Sequence, residues 1–251
     1  MSFNFLEKLF YGQSSNHNDF SVLAVDMHSH ILPEIDDGAP DLGTSIELIK
    51  ELMKLGYKHL IATPHVMSDI HPNTPENIKE KLEIVRSEVA KQQLEVKIEA
   101  AAEYLLDDHF EYILEQENWL CFKEKYILVE LSFIAPPPNL ETYIFRLRTQ
   151  GLTPILAHPE RYLYFGNQYH KYKRLRDMGC LFQINLLSLT GYYGKDVKKN
   201  ALKLLKKGWI EFLGTDCHSM NHIEFLRKGI RKKAFERVLS NHSFYNSTLL
   251  S

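Results

Sequence analysis

The stretch "SVLAVDMHSHILPEIDD", residues 21–37, is the place to begin reading the fold. An apolar run of strand-forming residues ends in two histidines one residue apart, His28 and His30. A short loop then carries Asp36 and Asp37. Alone, a His-x-His pair in a chain with 12 histidines says little, because a histidine after a strand is more often a satisfied loop or core residue. Its meaning depends on whether the same arrangement recurs along the chain.

It does. Further short apolar runs are "KHLIAT", "EVKIEAAAEY", "YILVELS", "LTPILAH", "CLFQINL" and "WIEFLGTD". Amphipathic helical patterns fall between them. Thr44 with Glu47 three residues on predicts a capping box for a helix running to Gly56. Thr74 and Pro75 predict the cap and first residue of the next helix. Others are expected over 138–150, 168–178 and 195–207, with helical segments from about 221 to 240. Strand–helix alternation implies parallel strands joined by crossover helices. Seven such strands favour a closed or nearly closed barrel. A doubly wound sheet is the alternative, but no Gly-x-Gly-x-x-Gly follows the first strand.

The strand ends carry the chemistry. After His28 and His30, the second run ends "TPH" with His65 and the third in Glu103. The fourth holds Glu130, the fifth ends "AHPER" with His158, and the seventh ends "GTDCHS" with Asp216 and His218. The sixth ends in Asn185, no obvious ligand. In a parallel barrel these ends converge on one face. Carboxylates inside apolar strands cost several kcal/mol unless paired, and no matching concentration of Lys or Arg accompanies them. Bound cations would relieve the repulsion. Nitrogen and oxygen donors suit zinc, manganese or iron better than copper(I) or iron–sulfur clusters. There are enough donors for more than one ion, with Glu103 as a possible bridge.

Cys217 lies between Asp216 and His218 and is read as a packing residue pointing the other way. Arg161, three residues after His158, either holds phosphate oxygens at the mouth or pairs with Glu160; both readings stand. Tyr162, Tyr164, Phe165, Tyr192 and Tyr193 either flank an aromatic substrate or pack at the surface. Tyr162 and Tyr193 are the candidates for substrate contact.

The bulk numbers narrow the class. The 251 residues are 44% hydrophobic and 25% charged, and the net charge of −2 argues against a general nucleic-acid binder. Three widely spaced cysteines suggest a reducing compartment without a disulfide frame. None is followed six residues later by arginine; Ile127, Leu186 and Ile223 stand there, which excludes a cysteine-based tyrosine phosphatase. No apolar run suffices to span a membrane, so the expected location is the cytoplasm. Residues 1–20 are expected to form an N-terminal extension, a short helix with Phe3, Leu6 and Phe10 on one side. Residues 21–251 are expected to be one domain.

The motifs "DMHSHILPEIDDGAP", "TPH", "EYLLDD", "LVELSF", "AHPERY" and "GTDCHS" resemble the polymerase-and-histidinol-phosphatase (PHP) superfamily, more narrowly its bacterial capsule- and exopolysaccharide-type protein-tyrosine phosphatases. The resemblance runs from about residue 22 to the last helices. It implies a distorted (β/α)7 TIM-like barrel holding three divalent metal ions, manganese first, with iron or zinc as alternatives. One ion would be held by His28, His30, Glu103 and Asp216. A second would share Glu103 and add Glu130 and His158. The third would take Asp37, His65 and His218.

In that pattern Arg161 matches a phosphate-binding arginine. The implied reaction is hydrolysis of phosphotyrosine by metal-activated water. The implied partner is a phosphotyrosine protein, the tail of a bacterial tyrosine kinase of polysaccharide biosynthesis, with no nucleic acid and no membrane insertion. A PHP-type phosphatase of a small phosphomonoester, such as histidinol phosphate, is the alternative. Two departures stand out. Glu34 occupies a position where a small residue, often glycine, is expected. Met220, Asn221, His222 and Ile223 follow the Asp-x-His motif where a second arginine is common, leaving Arg227 as the nearest.

Overall fold

A computed structural model describes residues 19–231 and 233–250. The helix expected within residues 1–20 lies outside them, apart from Asp19 and Phe20. The strands are β1 Val25–Ser29, β2 His59–Ala62, β3 His65–Val66, β4 Lys97–Ala100, β5 Glu103–Leu105, β6 Tyr126–Glu130, β7 Thr153–Ala157, β8 Leu181–Asn185 and β9 Phe212–Gly214. They form two sheets, β1-β2-β4 and β3-β5-β6-β7-β8-β9, and every pairing is parallel.

Nine strands arise from the seven apolar runs because two runs break. Pro64, which has no N–H for a ladder, separates β2 from β3. Ala101 and Ala102 separate β4 from β5. Hydrogen bonds nevertheless follow both breaks: Ala101 N–H donates to Ala62 O (2.8 Å) and Glu103 N–H to Pro64 O (3.0 Å). The far edges also meet. Ser29 bridges Cys217, Asp216 N–H donates to His28 O (2.8 Å), and His30 N–H donates to Cys217 O (3.0 Å).

The described helices are α1 Leu42–Lys54, α2 Pro75–Lys91, α3 Phe110–Gln116, α4 Leu140–Thr149, α5 Tyr169–Asp177, α6 Leu186–Thr190, α7 Lys195–Lys206, α8 Met220–Ile230 and α9 Lys233–Asn241. The capping box expected at Thr44 is not formed. Asp41 caps α1 instead, accepting from Thr44 N–H at 2.7 Å, so the helix starts three residues earlier than its apolar face suggests. At α2 the cap is as expected: Thr74 and Asn77 satisfy each other's backbone N–H behind Pro75. The short α3 and α6 are additions, too brief to show a helical period.

Side chains two apart share a strand face, and this alternation sets the site. Ile61, Ala101, Leu128, Ile155 and Phe212 form one buried cluster that Leu249 and Phe122 join. Two or four residues further along those strands come His65, Glu103, Glu130 and Asp216. One strand face thus turns from apolar to ligand-bearing toward its C-terminal end. The other face packs the helices through a larger cluster that includes Leu60, Ile98, Val129, Leu156, Ile184 and Leu213. Asn246 fixes the chain's last turn under the apolar end by bonding Val25 O, Leu213 N–H and Leu213 O.

Candidate active site

Nine side chains singled out in the sequence gather in one place. His28, His30, Glu103, Glu130, His158 and Asp216 are buried; His65 and His218 are largely so, and Asp37 reaches in from the opening loop. Their donor atoms form four overlapping groups: His28, His30 and Glu103; His28, His158 and Asp216; His65, Glu103 and Glu130; and His30, Asp37, His65 and His218. Glu103 is central. Its Oε2 lies 3.1 Å from His28 Nε2, 3.4 Å from His30 Nε2 and 3.2 Å from His65 Nδ1, while Oε1 lies 3.0 Å from His158 Nε2. The groups overlap: His158 falls with His28 and Asp216 although its Nε2 also meets Glu103, and His65 falls both with Glu103 and Glu130 and with His30, Asp37 and His218.

The ring tautomers test whether cations fit here. His28 Nδ1 lies 2.9 Å from Gln183 Oε1, and His30 Nδ1 lies 2.7 Å from Asp36 Oδ2. Both partners accept, so each Nδ1 carries a hydrogen. In the neutral rings each Nε2 is then a lone pair, yet the two Nε2 atoms face each other at 3.3 Å. Two lone pairs in that position repel unless positive charge lies beside them. His218 repeats the arrangement: Nδ1 donates to Asp216 O at 2.9 Å, leaving Nε2 toward Asp37, 3.3 Å from its Oδ1. At the opposite wall His65 Nδ1 and Glu130 Oε1 are 3.0 Å apart, buried, and not hydrogen-bonded. Imidazoles anchored through one nitrogen with the other aimed at carboxylates are the usual setting of a metal ligand. The residues fit divalent cations.

The protons show the same electrostatics. Burial opposes charge on His28, but Glu103 and Asp216 outweigh it and lift its pKa to about 9. Burial likewise opposes charge on His30, and Asp36, Asp216 and Glu103 raise it well above the usual histidine value. Burial would raise Asp36, yet His30 draws it down to about 2. Four carboxylates and five imidazoles make a pocket that attracts positive charge.

Several contributors are not among the expected ligands. Asp36 accepts from His30 Nδ1, from Gly38 N–H (3.0 Å) and from His65 N–H (3.2 Å). On β8, Gln183 holds His28 and donates to Asn185 Oδ1 (2.9 Å), and Asn185 Nδ2 donates to Asp216 Oδ2. Backbone approach is equally demanding. A Cβ on Gly38 would lie 2.1 Å from His30 O, and one on Gly214 would lie 2.6 Å from His28 Cβ. His158 and Asp216 have φ of 33° and 52°, and Glu34 has 59°. Left-handed backbone at Glu34 explains why a glycine would suit that position. Lys81 Nζ pairs with Glu34 Oε2 at 2.9 Å.

Arg161 does not pair with Glu160. Its guanidinium carbon lies 4.3 Å from the ring centroids of both Phe133 and Tyr193, and Nη1 reaches Asp216 Oδ2 at 3.3 Å. Rings stacked on the planar cation leave its N–H donors to act in plane. Glu160 is buried beneath, accepting from Asn185 N–H (2.9 Å) and Ser188 Oγ (2.6 Å). Tyr162 is not at the mouth as expected. It is fully buried and its hydroxyl accepts from Leu131 N–H at 2.9 Å, so it packs behind the site. Cys217 is buried, and burial raises its thiol pKa. Asp37, His65, Phe133, Arg161, Tyr192, Tyr193, His218 and His222 line one open cleft with Glu130, His158 and Asp216 at its floor.

Parallel α/β architecture with imidazoles and carboxylates collected at its strand ends defines a class, the α/β proteins with a metal-binding pocket. Residues 24–247 match the family described as capsular polysaccharide synthesis, CpsB/CapC, and the chain belongs to that family. It is 30% identical over 202 residues to tyrosine-protein phosphatase YwqE of Bacillus subtilis (strain 168), covering 80% of each chain. To the putative tyrosine-protein phosphatase CapC of Staphylococcus aureus it is 29% identical over 223 residues, 87% of this chain and 88% of that one. A solved structure from work on YwqE of B. subtilis and CpsB of Streptococcus pneumoniae, described there as unique metal-dependent tyrosine phosphatases, superposes with a TM-score of 0.74. It is 27% identical and covers 88% of this chain and 96% of that one.

Proposed function

We propose that this chain is a metal-dependent protein-tyrosine phosphatase. The observation that carries the reading is the pair of Nε2 atoms of His28 and His30, facing each other with both Nδ1 atoms committed as donors. A divalent cation between the two rings would take both lone pairs at once and turn their repulsion into coordination. The names of its relatives favour phosphotyrosine over a small phosphomonoester such as histidinol phosphate.

On this reading the two sheets together make the distorted (β/α)7 barrel of a single domain, residues 21–251. Three ions, manganese first, divide the ligands. His28, His30, Glu103 and Asp216 hold one, Glu103, Glu130 and His158 the second, and Asp37, His65 and His218 the third. When bound, such ions supply Lewis-acid stabilisation of phosphoryl charge and lower the pKa of water. The protein's own groups do the rest. Arg161 binds phosphate oxygens through the donors that Phe133 and Tyr193 leave in plane. Asp36 and Gln183 hold the ring hydrogens of His30 and His28. Tyr193, at the cleft wall, also borders the incoming phenyl ring.

The substrate on this reading is the tyrosine-rich tail of a bacterial kinase of polysaccharide biosynthesis, met in the cytoplasm. Three free thiols suit that compartment, and no described helix is long and apolar enough to cross a membrane. The test is a comparison of kcat/KM for phosphotyrosine peptides and for small phosphomonoesters, histidinol phosphate included. Preference for the peptides supports the reading; strong preference for histidinol phosphate overturns it.

A further inference from the structure

Helix α7 carries Lys195, Lys198, Lys199, Lys203 and Lys206, and Lys207 stands at its C-cap. Spacings of three and four place them along one broad face, while Val197, Asn200, Ala201, Leu204 and Leu205 are buried on the other. Asp196 is the helix's one acidic residue. Among the described residues no carboxylate pairs with any of the six. Lys203 donates to Asn167 Oδ1 (3.0 Å), and Lys203 and Lys207 lie over the Tyr169 ring.

Other helices of this chain pair opposite charges at the same spacings: Glu51 with Lys54, Glu83 with Arg86, Glu88 with Lys91, Lys173 with Asp177, Glu224 with Lys228. On α7 like charges face each other instead, which is unfavourable. Such a face, in a chain of net charge −2, calls for an anionic partner.

Its position says which. Tyr192 and Tyr193 line the catalytic cleft, and α7 starts at Lys195, capped by Gly194. The Lys198 stem passes 3.7 Å from where a Cβ on Gly191 would sit. The lysine row therefore begins at the mouth of the cleft and extends for about 18 Å along the helix. A lipid surface fits less well, since half-exposed Leu202 is the one exposed apolar side chain in the row.

We propose that the lysine face of α7 docks an acidic segment of the phosphoprotein whose phosphotyrosine occupies the cleft. This rests on the phosphatase reading above. Lysines are flexible point charges, so the row would accept carboxylates or further phosphates at variable spacing and act mainly by steering.

The test uses the full, metal-loaded chain and three substrates: a phosphotyrosine peptide with an acidic extension, the same peptide with a neutral extension, and p-nitrophenyl phosphate. Each is measured from low to high NaCl, and again with the Lys198→Glu, Lys199→Glu, Lys206→Glu triple variant. Loss of steering should lower kcat/KM for the acidic peptide by about tenfold in the variant and in high salt. The neutral peptide and p-nitrophenyl phosphate should change little. The wild-type salt series stands by itself if the variant folds poorly.

Equal kcat/KM for acidic and neutral peptides, or an acidic preference that survives the triple variant, overturns the proposal. Binding to phosphatidylglycerol vesicles that the variant loses, with no acidic preference among peptides, also overturns it and assigns the face to lipid. Wild-type protein inactive on p-nitrophenyl phosphate and on both peptides would remove the phosphatase reading, and the docking surface with it. Activity without acidic preference removes only the docking surface.

Discussion

Asp36→Asn is nearly isosteric and separates charge from shape. The carboxylate takes three hydrogen bonds: Oδ1 from Gly38 N–H, and Oδ2 from His30 Nδ1 and His65 N–H. An amide has one accepting oxygen. If that oxygen faces His30 and His65, the NH₂ opposes Gly38 N–H. If it faces Gly38, the NH₂ opposes His65 N–H and the hydrogen on His30 Nδ1, which must move to Nε2 where the cation ligand is needed. Either rotamer loses at least one bond to a charged acceptor, about 1.5–3 kcal/mol. Outer partners of ligand histidines are worth about 10–100-fold in metal affinity or activity. The expected result is a loss in that range, read as metal affinity by chelator competition and as kcat/KM on a phosphotyrosine peptide. A variant with unchanged metal affinity and unchanged kcat/KM would refute the tautomer reasoning.

Phe133→Ala removes one of the two rings stacked on Arg161. A cation–π contact of about 0.5–2 kcal/mol should appear as a several-fold rise in KM, with bound metal unchanged; Phe133→Tyr should restore it. Glu34→Gly should raise stability by up to about 1 kcal/mol in denaturant titration, relief of the positive φ exceeding the loss of the exposed Lys81 pair. Burial pushes the Cys121 and Cys180 thiols up from 9.0 to about 12. With folded pKa values above unfolded ones, their contribution is complete below about pH 9 and is lost as pH rises toward 12. Cys180→Ala should flatten the fall of the unfolding midpoint between those limits, and all three thiols should resist alkylation at neutral pH until the chain is unfolded.

The order of the ligands other than Asp37 was legible because each sits where an apolar run ends, a one-dimensional signal; Asp37, in the opening loop, came only with the family resemblance. The parallel arrangement then brings those ends together. Less legible were groups that act through other residues. Gln183 supports His28 from 155 residues away, and nothing in "CLFQINL" marks its amide as different from a structural one. Asp36 and Asp37 are neighbours with unlike roles, decided by loop geometry around Gly38. Phe133 reaches Arg161 through the conformation of the loop after β6, and no period encodes it. Tyr162, next to Arg161, was expected at the mouth, but the tight turn after His158 sends adjacent side chains in opposite directions and buries it. Thr44 resembled a cap because the apolar face of α1 begins late, whereas Asp41 makes the bond.

On the proposed reading, the strand-end ligands would hold divalent cations that this chain needs in order to hydrolyse phosphotyrosine. The most direct measurement is elemental analysis of the purified chain, before and after chelation, paired with hydrolysis of a phosphotyrosine peptide by the same samples. The expected result is bound divalent metal in the active protein, loss of metal and activity together on chelation, and recovery of both when manganese is returned. Full phosphotyrosine hydrolysis by protein free of metal would contradict the account.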